Sequence, residues 1–491
     1  MDRKSGILLH ISSLPGDYGC GSFGDGALRF IDMLADAGFS YWQVLPFCIP
    51  DAYASPYSSV STFSGNPNFI DLDILQKQGF LTRAELEGAH PETPYSCDFG
   101  WLAKTRIPLL FRAAERAMAK KEIADKVDEF MDEHPHVADV CRFLAKKERH
   151  GGKLWLDWND GIENGGDIFT AEDEACERAW RFIEYEFFRQ WAEIVEYAHK
   201  KRVYIIGDIP FYVSLDSSDV YNNRSQFQLE RDGRPSFVAG VPPDYFSADG
   251  QLWENPLYDW DAMEKDGYSF WRDRLSFMLS LFDGVRIDHF RAVESYYRVK
   301  AGEKTAKNGH WAPGPREAFV DMVNEVADGK LIIAEDLGDI TDEVRALLDY
   351  SGMPGMRVMQ FGFLHSGDST HRPHNYINNS VAYTGTHDNN TMLGAIWEMP
   401  PHMRSELFDY CGCPDDWNLA RERAVKTVLS SSAGLAIIPI QDILGYGADT
   451  RMNTPGLAGG GNWRFRVTRE QLKGIDAAMW RRTNEMYARY R

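Results

Sequence analysis

The chain has 491 residues, is 44% hydrophobic and carries a formal net charge of −20 at pH 7. Such an acidic chain lacks the clustered Lys and Arg that phosphate backbones and anionic membrane surfaces require, so nucleic acid and membrane are not expected as partners. No apolar stretch approaches the roughly 18 residues of a membrane span, and seven scattered cysteines do not make a disulfide framework.

From the N-terminus, the first apolar run is 5–11. Only Met1-Asp2-Arg3-Lys4 precede it, and Ile7-Leu8-Leu9 is too short for a signal-peptide core. With the cysteine pattern, this points to a reducing, cytoplasmic setting. Gly19-x-Gly21-x-x-Gly24 then matches a dinucleotide fingerprint. Ser12-Ser13-Leu14-Pro15 separates it from the strand, however, and the next run ends in Leu45-Pro46-Phe47 with no acid to hold a ribose. A tight turn after the first strand fits better. Asp25 is placed to cap a helix in which Ala27, Phe30, Ile31 and Leu34 share a face, and Gly38 stands where a C-terminal glycine belongs.

Further short apolar runs lie at 39–47, 203–210 (VYIIGDIP), 284–290 (GVRIDHF), 331–338 (LIIAEDLG), 356–361, 380–388 and 435–444. Runs of this length between turn residues read as buried parallel strands. Helical periodicity occupies 190–201, 270–281 and 316–326. Eight strands with interleaved helices point to an α/β fold, a (β/α)8 TIM barrel; the pattern alone also fits a doubly wound sheet. Residues 48–202 are too many for a simple crossover. They open with a Ser/Pro/Tyr/Asn loop at 53–67, continue through charged helical stretches near 101–149 and 173–200, and read as an inserted subdomain. Residues 211–262 form a second long loop after the third strand. The tail is mostly one helix, roughly 469–490, with no room for a C-terminal β-sandwich. The whole chain, 1–491, reads as a single catalytic barrel with large insertions in its βα loops.

Four of the runs end in acids: Asp208, Asp288, Glu335 and, after His387, Asp388. Four like charges at one rim repel each other, so their shared register implies a chemical use. Arg286 precedes Asp288 by two residues, faces the same side of the strand and keeps that acid ionised, as a nucleophile requires. Glu335 closes an apolar run, where desolvation raises a carboxyl toward a proton donor. A calcium loop built from Glu335, Asp336, Asp339 and Asp342 would need EF-hand spacing, which is lacking. Retaining glycosyl transfer uses one carboxylate as nucleophile and one carboxylic acid as proton donor. Aromatic residues make up 13% of the chain, with 14 Trp and 22 Tyr. They serve equally a large core or the stacking of sugar faces. No metal and no cofactor are expected, because the strand ends carry neither a His-x-His pair nor a late phosphate turn.

The segments GILLHISSLPGDYGCGSFGDGA, WQVLPF, SPYSSVSTFSGNPNFIDL, GDIPFYVSLDSSDVY, GVPPDYFSADGQLWENPLYDW, FDGVRIDHFR, IIAEDLG, MRVMQFGF, YTGTHDNNT and GNWRFR together resemble the 4-α-glucanotransferases (amylomaltases, or disproportionating enzymes) of glycoside hydrolase family 77, in the α-amylase clan. The likeness runs nearly the length of the chain, apart from about 85–200. It implies Asp288 as nucleophile, Glu335 as acid/base and Asp388 as transition-state stabiliser, helped by His387. It implies Arg286 as the group that orients Asp288, and Tyr57, Asp208 and His289 as sugar contacts at the cleavage point. It further implies that Asp244, Gln251 and Trp253 belong to a loop over the site and that Asn462 and Trp463 touch the glucan. The partners implied are malto-oligosaccharides and α-1,4-glucans. A hydrolase of the same clan and a silent glucan-binding protein are the competing readings; the oligomeric state is not indicated.

Overall fold

The computed structural model describes residues 2–51, 53–158, 168–243, 248–364, 367, 369–457 and 459–490. In chain order the strands are β1 (Lys4–Leu8), β2 (Tyr41–Gln43), β3 (Tyr204–Ile209), β4 (Phe237–Val241), β5 (Gln251–Pro256), β6 (Gly284–Ile287), β7 (Ser295–Lys300), β8 (His310–Pro313), β9 (Leu331–Ala334), β10 (Gly355–Val358), β11 (Ser380–Tyr383) and β12 (Leu435–Pro439). Eight of them close a parallel barrel in the order β1-β12-β11-β10-β9-β6-β3-β2. Closure through the pairing of β1 with β12 excludes the doubly wound sheet. Each barrel strand falls within or one residue beside an apolar run of the sequence. The strands are shorter than the runs because Leu9, Ile11, Val44 and Leu45 stay buried after the ladder ends, forming the floor of the loops above.

Helix Asp25–Ala37 ends at Gly38 in a left-handed conformation with φ 79°. Its N-cap is Gly24, not Asp25; Asp25 lies in the first turn and pairs with Arg29 at 2.7 Å. Glycine is needed there because a Cβ on residue 24 would sit 2.0 Å from Asp71 Oδ2. The predicted helix at 190–201 is the end of a much longer one, Ala171–Lys200, opened by a Thr170/Asp173 capping box. Its inner face carries Phe187 and Trp191, which pack against Phe23 and Phe47. The same helix contacts Phe99–Met118, Lys121–Glu133 and Pro135–Arg149. It therefore joins the helices of 48–202 to the barrel wall. The loop at 53–67 is pressed onto it: Gly65 donates its N–H to buried Glu184 at 2.7 Å, and a Cβ on Gly65 would lie 2.1 Å from the Phe187 ring.

A second sheet went unread in the sequence. The strands β5-β4-β7-β8 form an antiparallel sheet contributed by the loops after β3 and β6, with a small core of Val238, Tyr297, Val299 and Ala306. It carries Gln251 and Trp253 on β5 toward the barrel mouth. After β12 no strand follows among the described residues. The predicted final helix is two, Arg469–Lys473 and Ala477–Met486, interrupted at Gly474. No helix among the described residues is long and apolar enough to cross a membrane.

Candidate active site

The acids at the strand ends meet through an arginine. Asp208 and Arg286 lie opposite each other on β3 and β6, and Ile287 pairs with Ala334 on the next strand. Parallel register puts Asp288 and Glu335 side by side, one residue beyond that pair. Arg286 Nη1 reaches both Asp208 oxygens at 2.8 Å, and its Nη2 donates to Asp288 Oδ1 at 2.7 Å. One guanidinium fork thus fixes two carboxylates. Tyr57 donates its hydroxyl to Asp208 Oδ2 at 2.7 Å. Asp208, expected as a sugar contact, has 0% side-chain exposure and is held between Arg286 and Tyr57. Burial pushes the Asp208 carboxyl up, against the pull of Arg286.

Glu335 is held by backbone. His289 N–H donates to Oε2 at 2.7 Å and Leu337 N–H to Oε1 at 3.0 Å. His289 makes its bond from a left-handed conformation with φ 50°, a strain of about 1–3 kcal/mol that the surrounding contacts must sustain. Burial pushes the Glu335 carboxyl well above the usual range. The Asp288 charge adds to this, while Arg286 and the His289 N–H oppose it. The outcome is two neighbouring carboxyls in different settings: Asp288 on an arginine and 29% exposed, Glu335 buried and inclined to keep its proton.

Asp388 stands on the turn after β11. That turn is set by Asn389, whose side-chain oxygen accepts from Thr386 N–H at 2.9 Å. Asn453 donates to Asp388 Oδ1 at 2.6 Å and Arg451 to its carbonyl at 2.7 Å. Neither residue stood out in the sequence; an Asn in a Gly-rich loop carries no pattern that marks it. His387 stacks on Tyr57 at 5.1 Å with planes 12° apart, and Trp463 lies 5.9 Å from each ring. Burial pulls the His387 imidazole down. Trp253 meets His289 edge-on at 4.9 Å and donates to Gln251 at 3.2 Å. Burial draws His289 down to about 4, leaving it neutral at neutral pH. Asn462 bonds Thr454 and Leu457 through its side chain and shapes the loop that holds Trp463. Asp244 lies outside the described residues.

Neighbouring nucleophile-type and acid-type carboxylates with an aromatic wall suit transfer at an acetal carbon. A family model described as 4-alpha-glucanotransferase matches residues 9–472. A 4-alpha-glucanotransferase of Synechocystis is 41% identical over 508 residues, covering 99% of this chain and 98% of that protein. The 4-alpha-glucanotransferase of Streptococcus pneumoniae is 40% identical over 479 residues, covering 96% and 94%. The solved amylomaltase of Streptococcus agalactiae, in complex with acarbose, superposes with a TM-score of 0.96 at 34% identity and full coverage of both chains.

Proposed function

The chain belongs to the 4-alpha-glucanotransferase family, and from that premise we propose that Asp288, Glu335 and Asp388 carry a retaining transfer of α-1,4-glucan segments. Protonated Glu335 gives its proton to the glycosidic oxygen while Asp288 attacks the anomeric carbon. The C–O bond breaks, the shortened glucan leaves with its new hydroxyl, and the donor segment stays esterified to Asp288. Glu335, now a carboxylate, takes the proton from the 4-hydroxyl of an incoming glucan or glucose as that oxygen displaces Asp288. Asp388 stabilises the positive charge that develops on the ring in both steps. The observation behind this reading is the pairing of Asp288 on Arg286 with Glu335 on the His289 N–H.

Tyr57, His387 and Trp463 form the wall on which a glucosyl ring rests, with Arg286 and Asp208 beneath it. His289 is the polar contact beside Trp253 and Gln251, and its buried Nε2 has no protein partner among the described residues. Asp244 and Asn462 complete the glucan contacts in this reading. Malto-oligosaccharides are the donors and acceptors. Residues 1–491 act as one catalytic unit, with 48–202 and 211–262 as its insertions. The seven cysteines are free thiols, which supports a cytoplasmic setting.

Incubation with maltotriose tests the reading. Transfer gives glucose and a ladder of longer oligosaccharides, and Asp288→Asn abolishes it. A product set containing only shorter sugars would favour the hydrolase, and an unchanged Asp288→Asn or Glu335→Gln would leave a role in binding only.

A further inference from the structure

Beside the active site lies a second cavity, of about 540 Å³, between the loop after β12, the 461–466 segment and the approach to helix Phe99–Met118. That volume falls within the range of small-molecule sites. Arg451, Arg464 and Arg466 line it. Their recorded bonds run to backbone carbonyls: Arg451 to Asp388 and Asn453, Arg464 to Cys97, Arg466 to Gly16. Among the described residues none of the three has a carboxylate within ion-pair distance. Arg466 is 1% exposed, and its Nε and Nη1 lack a protein partner among the described residues. Asp449 is the one acid in the lining; it is exposed and pairs with none of them.

Three guanidinium groups with no direct ion pair are unexpected in a chain of net charge −20; Asp388 and Glu398 act on Arg451, and Asp17 on Arg466, only from beyond ion-pair distance. Gathering them around one cavity costs mutual repulsion and, for Arg466, desolvation. An anion in the cavity removes both costs. Planar guanidinium forks match the oxygens of a phosphate group, which is the reason to expect Arg and not Lys at such a site. Tyr95, Tyr446 and Phe465 give the wall an aromatic part, with the last two rings edge to face at 6.5 Å. Aromatic faces with free hydroxyls suit a sugar ring.

We propose that this cavity binds a small phosphorylated sugar, its phosphate on Arg464, Arg466 and Arg451 and its ring against Tyr95 and Tyr446. A neutral glucan would satisfy the aromatic wall and leave the three guanidinium groups without a direct ion pair.

The test is calorimetric titration of the full-length protein with glucose 6-phosphate, inorganic phosphate and maltotriose, repeated on Arg464→Gln and Tyr446→Ala. Arg464 is exposed and touches none of the three acids, so the variant keeps its basal maltotriose disproportionation. The expected result is saturable binding of glucose 6-phosphate, tighter than inorganic phosphate and undiminished by maltotriose. Arg464→Gln weakens it at least tenfold, and Tyr446→Ala weakens the sugar phosphate more than inorganic phosphate. Equal affinity for the two phosphates would overturn the sugar half of the proposal. Binding unchanged in Arg464→Gln, competition by maltotriose, or no binding at millimolar ligand would overturn all of it. These readouts measure binding alone and stand or fall separately from the transfer mechanism.

Discussion

Replacing Arg286 by methionine removes the fork that serves two acids. The Arg286 side chain is 5% exposed, Asp208 0% and Asp288 29%. Breaking a buried ion pair by deleting one partner costs about 3–5 kcal/mol, because the other charge is stranded. Nearly all of that falls on Asp208. Asp288 can hydrate, so its share is at most about 1 kcal/mol. The stranded Asp208 carboxyl titrates higher in the folded protein than in the unfolded chain, where it is near 3.9. Burial already raises Asp208 to about 7 in the parent and the loss of Arg286 raises it further, so the deficit relative to the parent grows as pH rises through about 7 and fades below it. Urea unfolding of Arg286→Met at pH 5 and pH 8 measures this. The double variant Arg286→Met/Asp208→Asn no longer strands a charge. It recovers most of the stability but not the maltotriose activity, because Asp288 still lacks its orienting bond. A double variant no more stable than the single one, or a deficit independent of pH, would show that Arg286 does not hold a buried Asp208 charge.

Four further outcomes follow from the same geometry. Glu335→Gln lowers kcat by about 10²–10⁴ and abolishes the alkaline limb of the pH–rate profile, since the protonated acid is the active form below its raised pKa. Asn453→Ala removes a 2.6 Å bond to Asp388; kcat falls several-fold while the melting temperature stays within a few degrees. Gly65→Ala destabilises by about 1–3 kcal/mol through the clash with Phe187, read by urea unfolding. Burial raises the Glu184 carboxyl to about 8, so from its unfolded value near 4.3 up to about 8 each pH unit removes at most about 1.4 kcal/mol of stability. Glu184→Gln, compared with the parent across that window, loses this slope.

The barrel was legible because buried parallel strands are continuous apolar runs, and all eight were visible as such. Their ends were not, because Val44 and Leu45 are as apolar beyond the ladder as within it. The four-stranded sheet escaped because β8 is mostly exposed and because its partners come from two loops separated by a barrel strand. Nothing local marks such a pairing. The Asp25 cap failed for a long-range reason: Asp71, far along the chain, occupies the space where a side chain on residue 24 would go. In the site, acids at strand ends announced themselves by position, and the geometry brings Asp288 and Glu335 together at one register. The strand end marked Asp208 as a rim acid, but its burial and its bonds to Arg286 and Tyr57 depend on β6 and on the 53–67 loop, which no local pattern shows. Asn453 and Arg451 were invisible because their role depends on a loop folding back on the turn after β11.

In the proposed transfer Asp288 bonds covalently to the sugar while Glu335 manages the proton. Intact-mass and peptide spectrometry of Glu335→Gln incubated with α-maltotriosyl fluoride tests it directly, since fluoride departs without an acid and the missing base stalls the second step. The expected result is an accumulating maltotriosyl ester located on Asp288. An adduct on another residue, or steady turnover of the fluoride with no adduct at any time, would contradict it.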